Sequence, residues 1–169
     1  ENDKLNPLTN YSKNKLITEN FLRNKFKSHV LILRISNIIG YKLKVKKKLH
    51  KTFVDLFYEK AKQGFIFDNK KRFKDFLSVQ KFSQILIMII KKDLRGTYNV
   101  SIGRKIYLNQ IIEWLNKYNN KRFKVISYSS TKNQNFYLNN YKLMSKIKVK
   151  NSLFELKKDC LDLSKKLFN

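Results

Sequence analysis

Residues that cross-link a chain, punctuate it or balance its charge are scarce among these 169. The single cysteine, Cys160, excludes an internal disulfide, and beside only two histidines it makes a poor metal-ligand set. The spacing Leu156, Cys160, Leu163 instead places that cysteine on the inner stripe of a helix. One proline and four glycines leave no low-complexity linker, and no internal repeat is present. The glycines stand apart, at positions 40, 64, 96 and 103, so there is no glycine-rich turn of the kind that cradles phosphates at a helix amino terminus. The longest continuous apolar run, residues 85–90, is far too short to cross a bilayer. No start methionine or charged-then-apolar leader precedes Glu1, and a cytoplasmic protein is expected.

Acidic residues are also few, 12 against 38 Lys and Arg, which gives a net charge of +26. Such a charge ordinarily points to nucleic acid or an anionic membrane. Here lysine outnumbers arginine 32 to 6, the lysines are scattered along the chain, and Asn, Ile, Phe and Tyr are abundant too. These residues share A- and T-rich codons, so a composition bias that fills exposed positions accounts for the charge better than a dedicated nucleic-acid face. The remaining field still suits an anionic ligand such as a diphosphate. With 42% hydrophobic residues the chain can furnish a core, which excludes disorder.

The most organised stretch covers residues 6–40. Pro7 near the start and a cap at Thr9 or Asn10 predict a helix to about Asn24, with Leu16, Ile17, Leu22 and Phe26 as inward positions. The helix carries Tyr11 and Lys15 four residues apart, on one face. The apolar run of residues 30–33 then predicts a strand covered on both faces, as in a parallel sheet, with the polar exit Arg34-Ile35-Ser36-Asn37-Ile38-Ile39-Gly40. Residues 41–50 read as a basic loop, 52–63 as a helix, 65–67 as a short strand and 73–79 as a second strand after a turn. A helix over about 80–92 leads to a buried strand between Gly96 and Gly103. A helix over 108–118, a strand at 123–126, a loop at 127–135 and a last helix from Ser152 follow.

The Tyr-x-x-x-Lys helix, Glu19 and a strand ending Leu-Arg-x-x-Asn-x-x-Gly together resemble the extended short-chain dehydrogenase/reductase family, in its NAD-dependent nucleotide-sugar epimerase/dehydratase branch. Two later segments extend the likeness over nearly the whole chain: Lys74-Asp75-Phe76-Leu77-Ser78-Val79, similar to the family's Arg-Asp-Phe-x-x-Val, and Gly96-Thr97-Tyr98-Asn99-Val100-Ser101-Ile102-Gly103. Tyr58 with Lys62 and Tyr128 with Lys132 also fit the tyrosine pattern, but neither is followed by the right strand. Without that strand, Tyr11 and Lys15 would read as a solvated helix face.

The resemblance implies the carboxyl-terminal part of a Rossmann-like, doubly wound parallel α/β sheet with a small α/β substrate-binding region. Residues 1–40 would end the NAD(P)-binding domain, 79–104 would return to it, and 41–78 with 105–169 would form the substrate-binding region. It further implies an oxidoreductase in which a hydride moves between a sugar carbon and NAD or NADP while Tyr11 handles the proton as acid/base. A positioned acid-base group is worth on the order of 10² to 10⁴ in rate. A cation close to a phenol favours the phenolate, and Lys15, one turn along, is such a cation. By resemblance, Tyr11, Lys15 and Ser36 would contact the cofactor, and Asn37 and Lys74 the nucleotide sugar. Asn37 read by itself fits a turn residue equally well. Arg34 reads as a salt-bridging residue with no site role.

Several features depart from the family pattern. Lys74 stands where the phosphate-binding arginine is usual, with Arg72 two residues earlier, and lysine loses the two-pronged geometry of arginine. Gln80-Lys81 replace acidic residues, and Lys132 is a poor match to a late diphosphate-binding arginine. With no glycine-rich turn present, the chain reads as the carboxyl-terminal half of a longer enzyme, inactive as it stands, whose full-length form would admit a homodimer. The competing reading is a non-catalytic basic module that binds nucleic acid or a partner protein. No metal, no sequence-specific nucleic acid and no membrane span are expected.

Overall fold

A computed structural model of the chain describes residues 5–40, 51–68, 71–121, 124–127 and 135–168. The basic segment 41–50, most of the 127–135 loop and the Tyr128/Lys132 pair lie outside them. In chain order the elements are α1 (Asn10–Phe26), β1 (Leu31–Ile35), β2 (Asn37–Ile39), α2 (Phe53–Lys62), β3 (Phe65–Asp68), β4 (Phe73–Lys74) and β5 (Phe76–Ser78). They continue with α3 (Val79–Lys91), β6 (Gly96–Val100), β7 (Ile106–Tyr107), α4 (Leu108–Leu115), β8 (Lys124–Ser127), α5 (Tyr141–Met144) and α6 (Leu153–Phe168).

Local chemistry sets the helix starts. Thr9 Oγ1 accepts from the Ser12 amide while Ser12 Oγ accepts from the Thr9 amide, a reciprocal cap that opens α1. Thr52 and Asp55 do the same for α2, and Ser152 and Glu155 for α6. Ser78 caps α3 through the Lys81 amide, so that helix starts directly on the last residue of β5.

The strands pair as short ladders. β1 runs parallel to β6, β2 to β5 and β3 to β8, while β4 and β7 are antiparallel. The helix α3 links β5, of one parallel ladder, to β6, of another. The chain is therefore an α/β protein with parallel strand pairs.

Two cores result. Leu77, Ile85, Ile89, Tyr98, Val100, Leu143 and Ile147 form one, with Leu31 and Leu33 of β1 packed against it. The other gathers Ile39, Phe57, Phe76, Ile111, Trp114, Leu156 and Cys160 among its buried residues. Consecutive residues of a strand face opposite sides, so Phe76 enters one core and Leu77 the other, and β5 is the partition between them. Leu143 and Ile147, assigned above to the substrate-binding region, lie in the core under β6.

Three expectations need correcting. β1 is not covered on both faces: residues 31–34 are half-buried and Ile35 is exposed, because β6 is its one neighbour among the described residues. Ile17 and Phe26 of α1, expected inside, are 65% and 45% exposed. A helix over a two-stranded ladder covers only a narrow stripe, here Leu16 and Leu22. The strand expected over 73–79 is broken at Asp75 into β4 and β5.

Candidate functional site

The site is built on the carboxyl end of β1 and on what α1 lays beside it. Glu19 fixes that helix: its carboxylate takes both Nε and Nη2 of Arg34 at 3.1 and 2.6 Å, and Nη2 of Arg23 at 2.7 Å. Arg23 also donates to Thr97 Oγ1 at 2.7 Å. One carboxylate, only 11% exposed, thus joins α1 to β1 and, through Arg23, to β6. Two-pronged arginine pairs of this kind fix direction as well as distance. Arg34 thus forms a salt bridge, as the sequence suggested, but to α1 rather than across the sheet.

On the helix so oriented, Tyr11 and Lys15 line one groove with Thr18, Glu19, Leu22 and residues 31–35, about 520 Å³ in volume. Lys15 Nζ lies 5.5 Å from the Tyr11 ring centroid, and the Tyr11 side chain is 73% exposed. The rival pair Tyr58 and Lys62 sits on α2, where Tyr58 packs against Phe168 of α6. Ser36 follows β1 directly; it is buried, and its hydroxyl has no hydrogen-bond partner among the described residues.

Asn37 begins β2, and its Nδ2 donates to the carbonyl of Asp75 at 2.9 Å. It is therefore a strand residue, not a turn residue, and it grips the residue that follows Lys74. Lys74 is half-buried, with its Nζ 5.6 Å from the Phe136 ring centroid. Burial, and then the charge of Arg72, push its pKa below the ordinary lysine range.

Two residues that organise this region escaped the sequence reading. Asp75 is fully buried and accepts from the amides of Ile102, Gly103 and Leu138 at 3.0, 3.0 and 3.2 Å. Burial outweighs these hydrogen bonds and holds its carboxyl above the usual carboxylate range. Its signal in the sequence is an acid placed directly after the cationic run Lys70-Lys71-Arg72-Phe73-Lys74. Lys81, noted only as a departure from the family's acidic pattern, is buried and donates to Glu155 at 2.9 Å and to the Lys150 carbonyl at 2.8 Å. It ties α3 to α6, and it holds the Glu155 carboxyl below its usual range.

The chemistry of these donors fits one end of a nicotinamide dinucleotide. A phenol, an ammonium group and an orphaned hydroxyl border the end of a parallel strand, where open α/β sheets bind ligands. Nothing among the described residues fits the pyrophosphate end. Gly64, Gly96 and Gly103 have positive φ but follow α2, α3 and β6, and none opens a helix at the end of a strand.

Parallel ladders bridged by a helix, with a tyrosine and lysine one turn apart beside a strand end, define the carboxyl-terminal part of a Rossmann-like nucleotide-binding fold. The family model for the NAD dependent epimerase/dehydratase family matches residues 1–101, and the chain belongs to that family. No curated protein matches it in sequence. Among solved structures it is similar to a UDP-N-acetylglucosamine 4-epimerase from Methanobrevibacter ruminantium in complex with UDP-N-acetylmuramic acid, with a TM-score of 0.76 at 16% identity over 98% of this chain and 55% of that one. It is also similar to WbmG of Bordetella bronchiseptica in complex with NAD and UDP, with a TM-score of 0.74 at 20% identity over 98% of this chain and 53% of that one. RMD from Pseudomonas aeruginosa complexed with NADPH gives a TM-score of 0.75 at 16% identity, over 97% of this chain and 57% of that one. The chain thus spans about half the length of the structures it matches. No helix among the described residues is long and apolar enough to cross a membrane, and none of their His, Cys, Asp and Glu side chains cluster as a metal site.

Proposed function

We propose that the chain is the carboxyl-terminal half of an NAD(P)-dependent oxidoreductase acting on a nucleotide sugar, of epimerase, dehydratase or keto-reductase type. The observation that carries this reading is the groove that Tyr11 and Lys15 share with β1. Tyr11 gives or takes the proton of the sugar hydroxyl. Lys15 supports the phenolate and, with Ser36, holds the nicotinamide end of the cofactor, while Asn37 and Lys74 hold the sugar nucleotide. When bound, NAD(P) supplies the hydride acceptor or donor. Residues 1–40 and 79–104 belong with the cofactor-binding domain and most of the remainder with the substrate-binding region. A cytoplasmic location suits such an enzyme.

The test needs a protein that carries the complete cofactor-binding half. There Tyr11→Phe lowers turnover by roughly 10² to 10⁴ and leaves cofactor binding nearly intact, since the lost group acts on the proton. Lys15→Met harms both. Equal turnover of Tyr11→Phe and its parent would refute the acid-base role.

A further inference from the structure

The groove face of α1 carries four ionisable side chains about one turn apart: Tyr11, Lys15, Glu19 and Arg23. Glu19 therefore has a cation on either side, each four residues away, the spacing at which helical side chains meet. Only one of the two is joined to it. Arg23 Nη2 lies 2.7 Å from Glu19 Oε1, whereas Lys15 forms no ion pair among the described residues and its Nζ lies 5.5 Å from the Tyr11 ring centroid. Lys15 and Glu19 nevertheless line the same groove.

The arginines account for the difference. Oε1 of Glu19 accepts from Nη2 of both Arg23 and Arg34, and Oε2 accepts from Arg34 Nε at 3.1 Å. A carboxylate offers about four lone-pair sites, so these three charge-assisted bonds leave little for a further donor. The order along the helix acts in the same sense: an acid pairs better with a cation four residues after it than four residues before it, which favours Arg23 over Lys15. A tie between helix and strand would need only the two-pronged bond of Arg34. The second guanidinium on the same oxygen brings two like charges to one acid that is only 11% exposed, an arrangement that saturates the acid beyond what anchoring requires.

We infer that Arg23 and Arg34 are positioning residues that keep Glu19 from capturing Lys15, so that the Lys15 ammonium stays with the Tyr11 phenol. The inference rests on the roles proposed for Tyr11 and Lys15 and deepens them, since Arg34, read from the sequence as without a site role, acts on the site through Glu19. An ammonium held by a carboxylate supports a phenolate less, because the pair is close to neutral overall. Glu19 orients α1, and the two arginines keep its charge away from the chemistry.

The experiment measures the availability of Lys15 directly. The 169-residue chain, at concentrations low enough to avoid association, is acetylated with limiting reagent, and mass spectrometry reads Lys15 against Lys13, an exposed lysine on the same helix. A carboxylate that engages an ammonium lowers the fraction of free amine, so Arg34→Gln is expected to slow Lys15 relative to Lys13 by roughly threefold or more. Adding Glu19→Gln, which keeps the shape and removes the charge, should restore the parent ratio. Arg23→Gln, a milder change at a half-exposed side chain, should act in the same direction as Arg34→Gln and decides the matter if that variant fails to fold. In a protein that carries the complete cofactor-binding half, turnover should follow the labelling, with a fall of roughly tenfold in Arg34→Gln that the double variant largely recovers. A tie that is structural only predicts the reverse, since the double variant has lost both partners. A double variant that labels no faster than Arg34→Gln would overturn the inference, as would Arg34→Gln and Arg23→Gln chains whose Lys15 labels like the parent's. Recovery of labelling without recovery of turnover, in a protein whose Tyr11→Phe variant is impaired, would overturn it too. Failure of the Tyr11→Phe test itself would strike the acid-base role and leave the labelling result standing.

Discussion

Removing the Asp75 carboxylate should damage the fold more than any other single truncation of a polar side chain in the described residues. Its two oxygens are the acceptors for three backbone amides, those of Ile102, Gly103 and Leu138. Each buried donor left unpaired costs about 1–3 kcal/mol. Asp75→Ala orphans all three, and water entering the vacated space offsets part of the loss, so a fall of about 2–4 kcal/mol is expected. That is a large share of the roughly 5–15 kcal/mol typical of a domain. Asp75→Asn keeps one oxygen. Turned toward Gly103 and Leu138, it leaves only the Ile102 amide without an acceptor, for a loss of about 1–3 kcal/mol. Urea unfolding followed by the fluorescence of Trp114, the single tryptophan and a buried one, reads these differences at concentrations low enough to avoid association. The pH dependence gives a second reading. Burial raises the Asp75 pKa above that of the unfolded carboxyl, so the unfolded chain releases this proton first. The contribution of Asp75 is then fullest below about pH 4 and is lost as pH rises through the raised value. Asp75→Asn, which cannot ionise, should lack that decline. An alanine variant within about 0.5 kcal/mol of the parent, the range of ordinary surface changes, would refute the reasoning.

Cys160 should resist thiol reagents in the native protein, because burial, and then the neighbouring Asp159 charge, push its pKa up to about 12. Modification by a disulfide reagent at pH 8 should track unfolding, and fast labelling of the folded chain would contradict this. The chain made alone should self-associate and show no NAD(P) binding by calorimetry. Ile17 and Phe21 are exposed and one edge of β1 pairs with no strand among the described residues, and several hundred Å² of apolar surface at about 25 cal/mol per Å² drives association by on the order of 10 kcal/mol. Light scattering that finds a monomer, together with micromolar cofactor binding, would sink that expectation.

The elements that sequence revealed are those whose signals are local. Pro7 and a cap at Thr9 or Asn10 marked α1, apolar spacing marked α2, α3, α4 and α6, and the apolar run of residues 30–33 and the glycines at 96 and 103 marked β1 and β6. What stayed hidden depends on distant partners. β2 and β7 are three and two residues long, too short for alternation to declare itself, and they exist because β5 and β4 lie beside them. Ile17 carried the right helical period, but the period says nothing about how much sheet lies beneath. In the site, the spacing of Tyr11 and Lys15 sufficed to put them on one face. The clamp by Asp75 joins residues 63 positions apart, and no spacing rule reaches that far.

β5 has only three residues, yet both cores are anchored on it, Phe76 to one and Leu77 to the other. Neither core can loosen by sliding past the other, because the same few backbone bonds would have to break for both. The two halves of the chain should therefore lose structure as one cooperative unit. A substitution deep in the core around Trp114 would then be felt at β6 and α3, although no side chain is shared between them.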